Sequence, residues 1–411
     1  MFASIFLFVL YTILFAICLY WMSHKRILQL ASPLAISGFL IRIGLGCLYG
    51  FIYGSVYNGD DTWRFHWLGV EETGHLIETP VSYLSAVFQL KEYTVAYEMS
   101  SAWESVEFGF LIKLLAFLNL FSGGNYYVNV VLFSMISFWG SYFLYRLFLE
   151  VFPAKRTWLW IAAFAFIPAL FWTAGIRKDG LIFLGLSLSL YSFYQLFCTP
   201  NKKYLFGLVI GILLLIVNRH MLVLTLIPAA VLFVWTRQSS IKLSHLLTGA
   251  VFFLVMSLYF LPEKFSLLLR EKRTSFEALT GGSRMDMPEL DGSRIGLVKS
   301  IPHAIYNVLL QPLPTTSSGL LSGLSGIETF LILLAILLAV FFPESTALNR
   351  SQMALLCKLL LLCLINYMII GMIVPFSGAT VRYRAPFEAI LLIVVWSLTD
   401  FRRILNKFTL K

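Results

Sequence analysis

Charge is what this chain has least of: Asp, Glu, Lys and Arg make up 13% of its 411 residues, where a soluble domain carries roughly 25%. That scarcity excludes an ordinary water-soluble fold. Also missing are the roughly ten-residue alternating segments of a transmembrane barrel, any internal repeat of the kind transporters often carry, and any low-complexity linker. The five cysteines, Cys18, Cys47, Cys198, Cys357 and Cys363, all lie in or beside apolar runs. Neither a disulfide framework nor a metal-ligand spacing follows from them. The apolar run from Phe2 has no basic segment before it and no convincing small-residue cleavage site, so it reads as a retained span rather than a signal peptide.

What remains is hydrophobic: 59% of the residues are apolar and the mean hydropathy is +0.82. Repeated apolar runs of roughly 18 residues or more match what a bilayer about 30 Å thick requires of a helix. The expected fold is all-α, a polytopic integral membrane protein forming one multi-span domain over residues 1–411, with about eleven transmembrane helices. Lys and Arg outnumber Asp and Glu by 31 to 21, a net charge of +10. In a soluble protein this excess would suggest nucleic acid. Here basic cytoplasmic loops explain it, and no nucleic-acid partner is expected.

The positive-inside rule orients the chain. Ser23 to Arg26 falls in the cytoplasm, which puts the amino terminus outside. Arg42 lies within the second run, 27–56, and should face the bundle or a cavity. Residues 57–124 begin with a strongly acidic stretch, the wrong charge for a cytoplasmic loop, and form the first external loop, with an interfacial helix at Phe108 to Phe121. Basic turns at Arg146 to Arg156, Lys202 to Lys203 and Arg237 to Lys242 then fall inside. The second long polar stretch, 262–319, is external, with a surface helix at 263–279, a mobile loop from Gly281 to Ser293 and an interfacial helix at 301–310. Spans at 320–342, 353–374 and 387–399 lead to a basic, cytoplasmic tail.

This topology brings four polar clusters to the outer face. Asp60 and Asp61, just after a span, suit a general base for an acceptor hydroxyl or ligands for a divalent cation such as Mg or Mn. They suit equally an acidic N-cap for an interfacial helix with Trp63 and Trp67 at headgroup level. His66 can share that site or serve structure alone. Arg177, Lys178 and Asp179 interrupt two long apolar runs, and charges placed so must pair, lie at the interface or line a wet cavity. They suit phosphate or pyrophosphate capture, with Asp179 orienting the cations, or a local ion pair in an interface turn. Arg219 and His220 offer a further phosphate donor or a snorkelling pair. Arg382 and Arg384, between Gly378 and Pro386, offer planar bidentate donors in an external loop that defies the positive-inside tendency.

The acidic pair with aromatic neighbours after an early span, the apolar-Lys-Asp turn and Arg382-Tyr383-Arg384-Ala385-Pro386-Phe387 together resemble bacterial polyprenyl-phosphate-dependent membrane glycosyltransferases of the GT-C type and the related oligosaccharide repeat-unit polymerases. The resemblance implies a bacterial inner (cytoplasmic) membrane location and a role in cell-envelope polysaccharide biosynthesis. It implies a polyprenyl-linked sugar donor, and a glycan, lipid or protein acceptor. Asp60 or Asp61 takes the acidic catalytic place, and Lys178, Arg382 and Arg384 the place of the basic phosphate-holding residues. Two spans precede the acidic loop here, where such transferases commonly have one. A transporter or flippase for a lipid-linked or anionic substrate is the rival expectation, with Arg42 and the basic cluster along its path.

Overall fold

The computed structural model describes residues 2–57, 61–81, 83, 102–238, 263–278, 283–313 and 320–409. Among them every regular element is a helix. In chain order these are α1 (Phe2–His24), α2 (Ser32–Phe51), α3 (Asp61–Glu78), α4 (Ala102–Ser122), α5 (Tyr126–Val151), α6 (Pro153–Ala165), α7 (Ile167–Ala174) and α8 (Lys178–Cys198). They continue with α9 (Lys202–Arg219), α10 (Met221–Gln238), α11 (Glu263–Glu277), α12 (Arg294–Leu309), α13 (Leu320–Phe341), α14 (Arg350–Ile373), α15 (Ser377–Ser397) and α16 (Phe401–Thr409). Six of the described helices are long and apolar enough to cross a membrane: α1, α2 with its extension to Val56, α5, α8, α13 and α14. Counting the broken pair α6 and α7 as one span makes seven. The pattern is compatible with a multi-pass membrane protein.

Among the described residues, the other runs expected as spans depart from that length or composition for physical reasons. Residues 157–175, expected as one span, break at Phe166, because Pro168 has no N–H and its ring clashes with the carbonyl four residues back, so it is accommodated in the first turn of a new helix. Helix α9 carries Lys202, Lys203 and Arg219 at its ends, and the apolar part of α10 covers only Met221–Thr236. Helix α15 carries Arg382, Arg384 and Glu388 within its length. The span expected at 245–261 lies outside the described residues.

The helices group into two compact units, residues 1–147 with 163–223 and residues 148–162 with 224–411. In the first unit α3 and α4 run side by side, tied by Lys113 Nζ to Glu72 Oε1 at 2.6 Å. The α4 helix is longer than the interfacial segment expected from Phe108 onward, since it begins at Ala102. Helices α8 and α9 approach closely because Gly211 has no side chain: a Cβ there would stand 2.4 Å from Ser189 Oγ and 2.9 Å from the Gly185 carbonyl. Small residues at such crossings let helices gain dispersion contact where lipid supplies no hydrophobic drive. Phe65, Leu111, Leu115, Val130, Phe133 and Ile176 build the core that joins α3, α4 and α5 to the turn before α8.

In the second unit α14 packs between α12 and α15, around a core including Leu297, Ala304, Leu361 and Met368. Residues 283–293, expected to be mobile, are tied down over much of their length. The Met285 N–H donates to the Pro375 carbonyl and the Ser377 N–H to the Ser283 carbonyl, both at 2.8 Å. Asn307 Nδ2 donates to the Asp286 carbonyl at 2.8 Å, and Arg273 Nη1 to the Pro288 carbonyl. The turn residues shape this segment, but its backbone groups find protein partners. At the far end of α15, Lys155 Nζ donates to the Ser397 and Thr399 carbonyls at 2.7 and 2.8 Å while pairing with Glu344 at 2.6 Å. Orphan carbonyls at a helix C-terminus are thereby satisfied by a cation, which the helix dipole also favours.

Candidate active site

The first unit is organised around the turn from Trp172 to Gly180 between α7 and α8. Three side chains fix its backbone. Arg42, 1% exposed, donates from Nη1 to the Thr173 carbonyl at 3.0 Å and from Nη2 to Ser141 Oγ at 3.1 Å. Thr62 Oγ1 donates to the Ile176 carbonyl at 3.2 Å and shares a 2.8 Å hydrogen bond with the Tyr126 hydroxyl. Tyr49 lies against Gly175, where a Cβ would meet its ring at 2.7 Å. Only glycine lets the ring approach so closely, and the Tyr49 hydroxyl then accepts from Arg177 Nη1 at 2.7 Å.

Arg177 is extended (φ −151°, ψ 162°) and α8 begins at Lys178, with Asp179 in its first turn where the helix dipole favours a carboxylate. A chain of ion pairs spreads from here. Arg177 Nη2 meets Asp61 Oδ2 at 2.7 Å, and its Nε faces Asp179 Oδ2 at 3.8 Å. Asp179 Oδ1 takes Arg219 Nη2 at 3.3 Å. Lys178 Nζ lies 3.4 Å from Glu107 Oε2 and 4.1 Å above the Phe108 ring, and Glu107 Oε1 faces His220 Nδ1 at 3.2 Å. Three guanidinium or ammonium groups thus meet three carboxylates, with His220 at the edge. Pairing of this kind is what allows charges to remain beside apolar helices, since an isolated buried charge costs several kcal/mol.

Exposure divides the array. The Arg177 and Asp179 side chains are 4% exposed, those of Lys178, Glu107 and Arg219 18%, that of His220 31%, and that of Asp61 49%. The buried Arg177 holds the half-exposed Asp61 carboxylate by this ion pair. Of the four clusters expected to converge, the structure brings Asp61, Arg177 to Asp179 and Arg219-His220 together within this unit.

Other expected members sit elsewhere. Asp60 lies outside the described residues. His66 is 1% exposed and lies five residues along α3 from Asp61, so at about 100° per residue it points some 140° away. Its Nδ1 lies 3.4 Å from Asn129 Nδ2, and burial, only partly opposed by a hydrogen bond to the Gly124 backbone, lowers its pKa to about 4. It braces α3 against α5. Among the described residues no group of three or more His, Cys, Asp and Glu side chains has metal-binding geometry.

Arg382 and Arg384 belong to the second unit and do not lie in a loop. Helix α15 begins at Ser377 and runs through both, with Pro386 in its interior. Two positions apart on a helix means about 200° of rotation, so the pair cannot grip one phosphate together. Arg384, 1% exposed, donates to the Val308 carbonyl, to the Gln311 carbonyl at 2.8 Å and to Thr329 Oγ1 at 2.9 Å, and pairs with Glu388 at 2.6 Å. It ties α12, α13 and α15 together. Arg382 is half-buried beside the Tyr383 ring, 5.3 Å from its centroid, and Tyr383 packs edge-on against Phe276 of α11.

Sequence reasoning missed Glu107, Tyr49 and Thr62 as partners of the turn. For Glu107 the one local signal is its place as an acid at the start of the apolar run from Phe108, which calls for a cation without naming it. No protein-family model matches this chain, nor does any curated protein or solved structure.

Proposed function

We propose that this protein is a membrane glycosyltransferase, moving a sugar or oligosaccharide from a polyprenyl-phosphate or -pyrophosphate donor to an acceptor on the extracytoplasmic face during cell-surface glycan assembly. The observation that carries this reading is the half-exposed Asp61 carboxylate, held by a buried arginine and flanked by Lys178, Arg219 and His220, at the end of apolar helices. In the reaction Asp61, or Asp60 beside it, takes the proton of the acceptor hydroxyl. The acceptor oxygen forms its bond to the anomeric carbon as the bond from that carbon to the phosphate oxygen breaks. The electron pair leaves on the phosphate. Lys178 and Arg219 then have their largest effect, because the charge they face grows in the transition state.

Arg384 is not in the proposed donor-binding set, because its donors serve three neighbouring elements. Arg42 is likewise no longer available to a translocation path, as it clamps the turn. The test is transfer of labelled sugar from a panel of polyprenyl-phosphate donors by the purified full-length protein in liposomes. Asp61→Asn is expected to lower the transfer rate by about 10²–10⁴ while donor binding persists. Lys178→Met and Arg219→Met should lower kcat and kcat/KM together, the mark of an interaction made in the transition state. Unchanged transfer in Asp61→Asn would remove the carboxylate from the mechanism.

A further inference from the structure

The last helix, α16, takes no part in the site described above and divides sharply by residue type. At about 100° per residue, Phe401, Ile404 and Leu405 fall within one arc of about 100°, while Arg402, Arg403 and Lys407 occupy the rest of the circumference. Its start is fixed to the ends of other helices. Phe401 stacks on Trp158 of α6 with ring centroids 3.9 Å apart, and both rings stand edge-on to Trp396 in the last turn of α15. The Asp400 N–H donates to the Phe342 carbonyl just past α13, and the Glu344 N–H to the Leu398 carbonyl just past α15, both at 2.8 Å. Helix α16 therefore begins at the face where α13 and α15 end. Of these, α13 is long and apolar enough to cross a membrane, and Leu337, Val340 and Phe341 near its end are 51, 67 and 68% exposed.

Two cations gather at the end of that apolar strip. Arg403 and Lys407, one turn apart on α16, both reach the Phe342 ring, 5.9 and 5.5 Å from its centroid. The neighbouring carboxylates are engaged elsewhere. Glu344 Oε2 pairs with Lys155 at 2.6 Å and its Oε1 accepts from Thr346 at 2.9 Å, while Asp400 Oδ1 accepts from the Arg403 backbone N–H at 3.1 Å. Among the described residues neither Arg403 nor Lys407 forms a salt bridge. Like charges one helical turn apart repel, so an anion entering between them is favoured. A general excess of basic residues at a membrane face does not account for two of them meeting on one ring beside an exposed apolar strip.

We propose that this corner of α13 and α16 binds one anionic phospholipid, its phosphate between Arg403 and Lys407 and its acyl chains along Leu337, Val340 and Phe341. The guanidinium supplies directed donors and the ammonium a compact charge. Leu405, 52% exposed, enters the same leaflet, so that α16 lies in the plane of the interface. The site belongs to the second unit and does not rest on the transfer reaction proposed above.

The experiment titrates full-length protein in a neutral detergent with phosphatidylglycerol and, separately, with phosphatidylcholine, and counts the protein carrying one lipid by native mass spectrometry. Phosphatidylglycerol is expected to bind at least about tenfold more tightly. Arg403→Gln and Lys407→Gln should each weaken it about fivefold, and together about 25-fold. Arg402→Gln removes the same charge from another side of α16 and should change it less than about twofold. All three side chains are exposed, so Tm in detergent should stay at the wild-type value. Inorganic phosphate should leave the lipid bound. The proposal is overturned if the two lipids bind alike, or if the double variant binds phosphatidylglycerol as the wild type does. It is overturned equally if Arg402→Gln weakens binding as much as Arg403→Gln, the mark of bulk charge alone, or if inorganic phosphate displaces the lipid, the mark of a site for soluble anions.

Discussion

His66 shows what burial does to a residue that sequence alone associates with chemistry. Desolvation brings its pKa from 6.5 to about 4, against the opposing bond to the Gly124 backbone. On acidification from pH 6.5 towards 4 the unfolded chain takes up a proton that the folded protein refuses, so stability falls through that window, by on the order of 3 kcal/mol at most. A pH series of thermal unfolding checks this: wild type should lose stability as the pH drops, and His66→Gln should flatten that part of the profile. An unchanged profile would mean that His66 is charged in the folded state. Arg42 makes the complementary case. Arg42→Met leaves the Thr173 carbonyl without its donor, at a cost of about 1–3 kcal/mol, and should lower Tm and transfer together although Arg42 does not touch the proposed substrate site. The charged residues of the turn were legible because three charges between apolar runs have few places to go. Glu107 and Tyr49 were not, because their partners lie 71 and 128 positions away and no local pattern encodes such pairings.

At the scale of elements, the least legible was α15. Gly378 and Pro386 read as the borders of a loop, yet Gly378 falls at the second position of the helix and Pro386 at its tenth, within a segment buried along nearly its whole length. Packing overrides the weak local propensities of single residues, and the helix turns an expected two-arginine clamp into one inward brace and one half-buried neighbour. The brace has a measurable signature. Arg384→Met leaves Glu388 buried without its cation and should cost about 3–5 kcal/mol, whereas the double change Arg384→Met with Glu388→Met should recover a substantial part of that loss. Equal loss in the single and double variants would show that the ion pair itself is not what the mutation removes. The surface helix α11 was legible from its alternating charges and apolar residues, and α12 was foreseen only in its second half, since its start depends on the Ser293 cap bonded to the Gly296 N–H at 2.9 Å.

For the whole molecule, hydropathy foretold an all-helical chain with helices of membrane-crossing length, and among the described residues six such helices are found, or seven with the broken pair, where polar residues, a proline break or short apolar stretches interrupt the other runs. The site follows the same division. Its residue types were visible as charges out of place, while the division into buried and more exposed members of the ion-pair array depends on packing between helices far apart in the chain. That division is the basis for reading the first unit as a catalytic centre rather than a conduit. The most direct measurement records, in one preparation of proteoliposomes, both transfer of labelled sugar from a polyprenyl-phosphate donor to acceptor and passage of the same labelled lipid across the bilayer. The account predicts product formation that Asp61→Asn abolishes, without lipid translocation. Translocation without product, dependent on Lys178 and Arg219, would contradict it and make the protein a transporter.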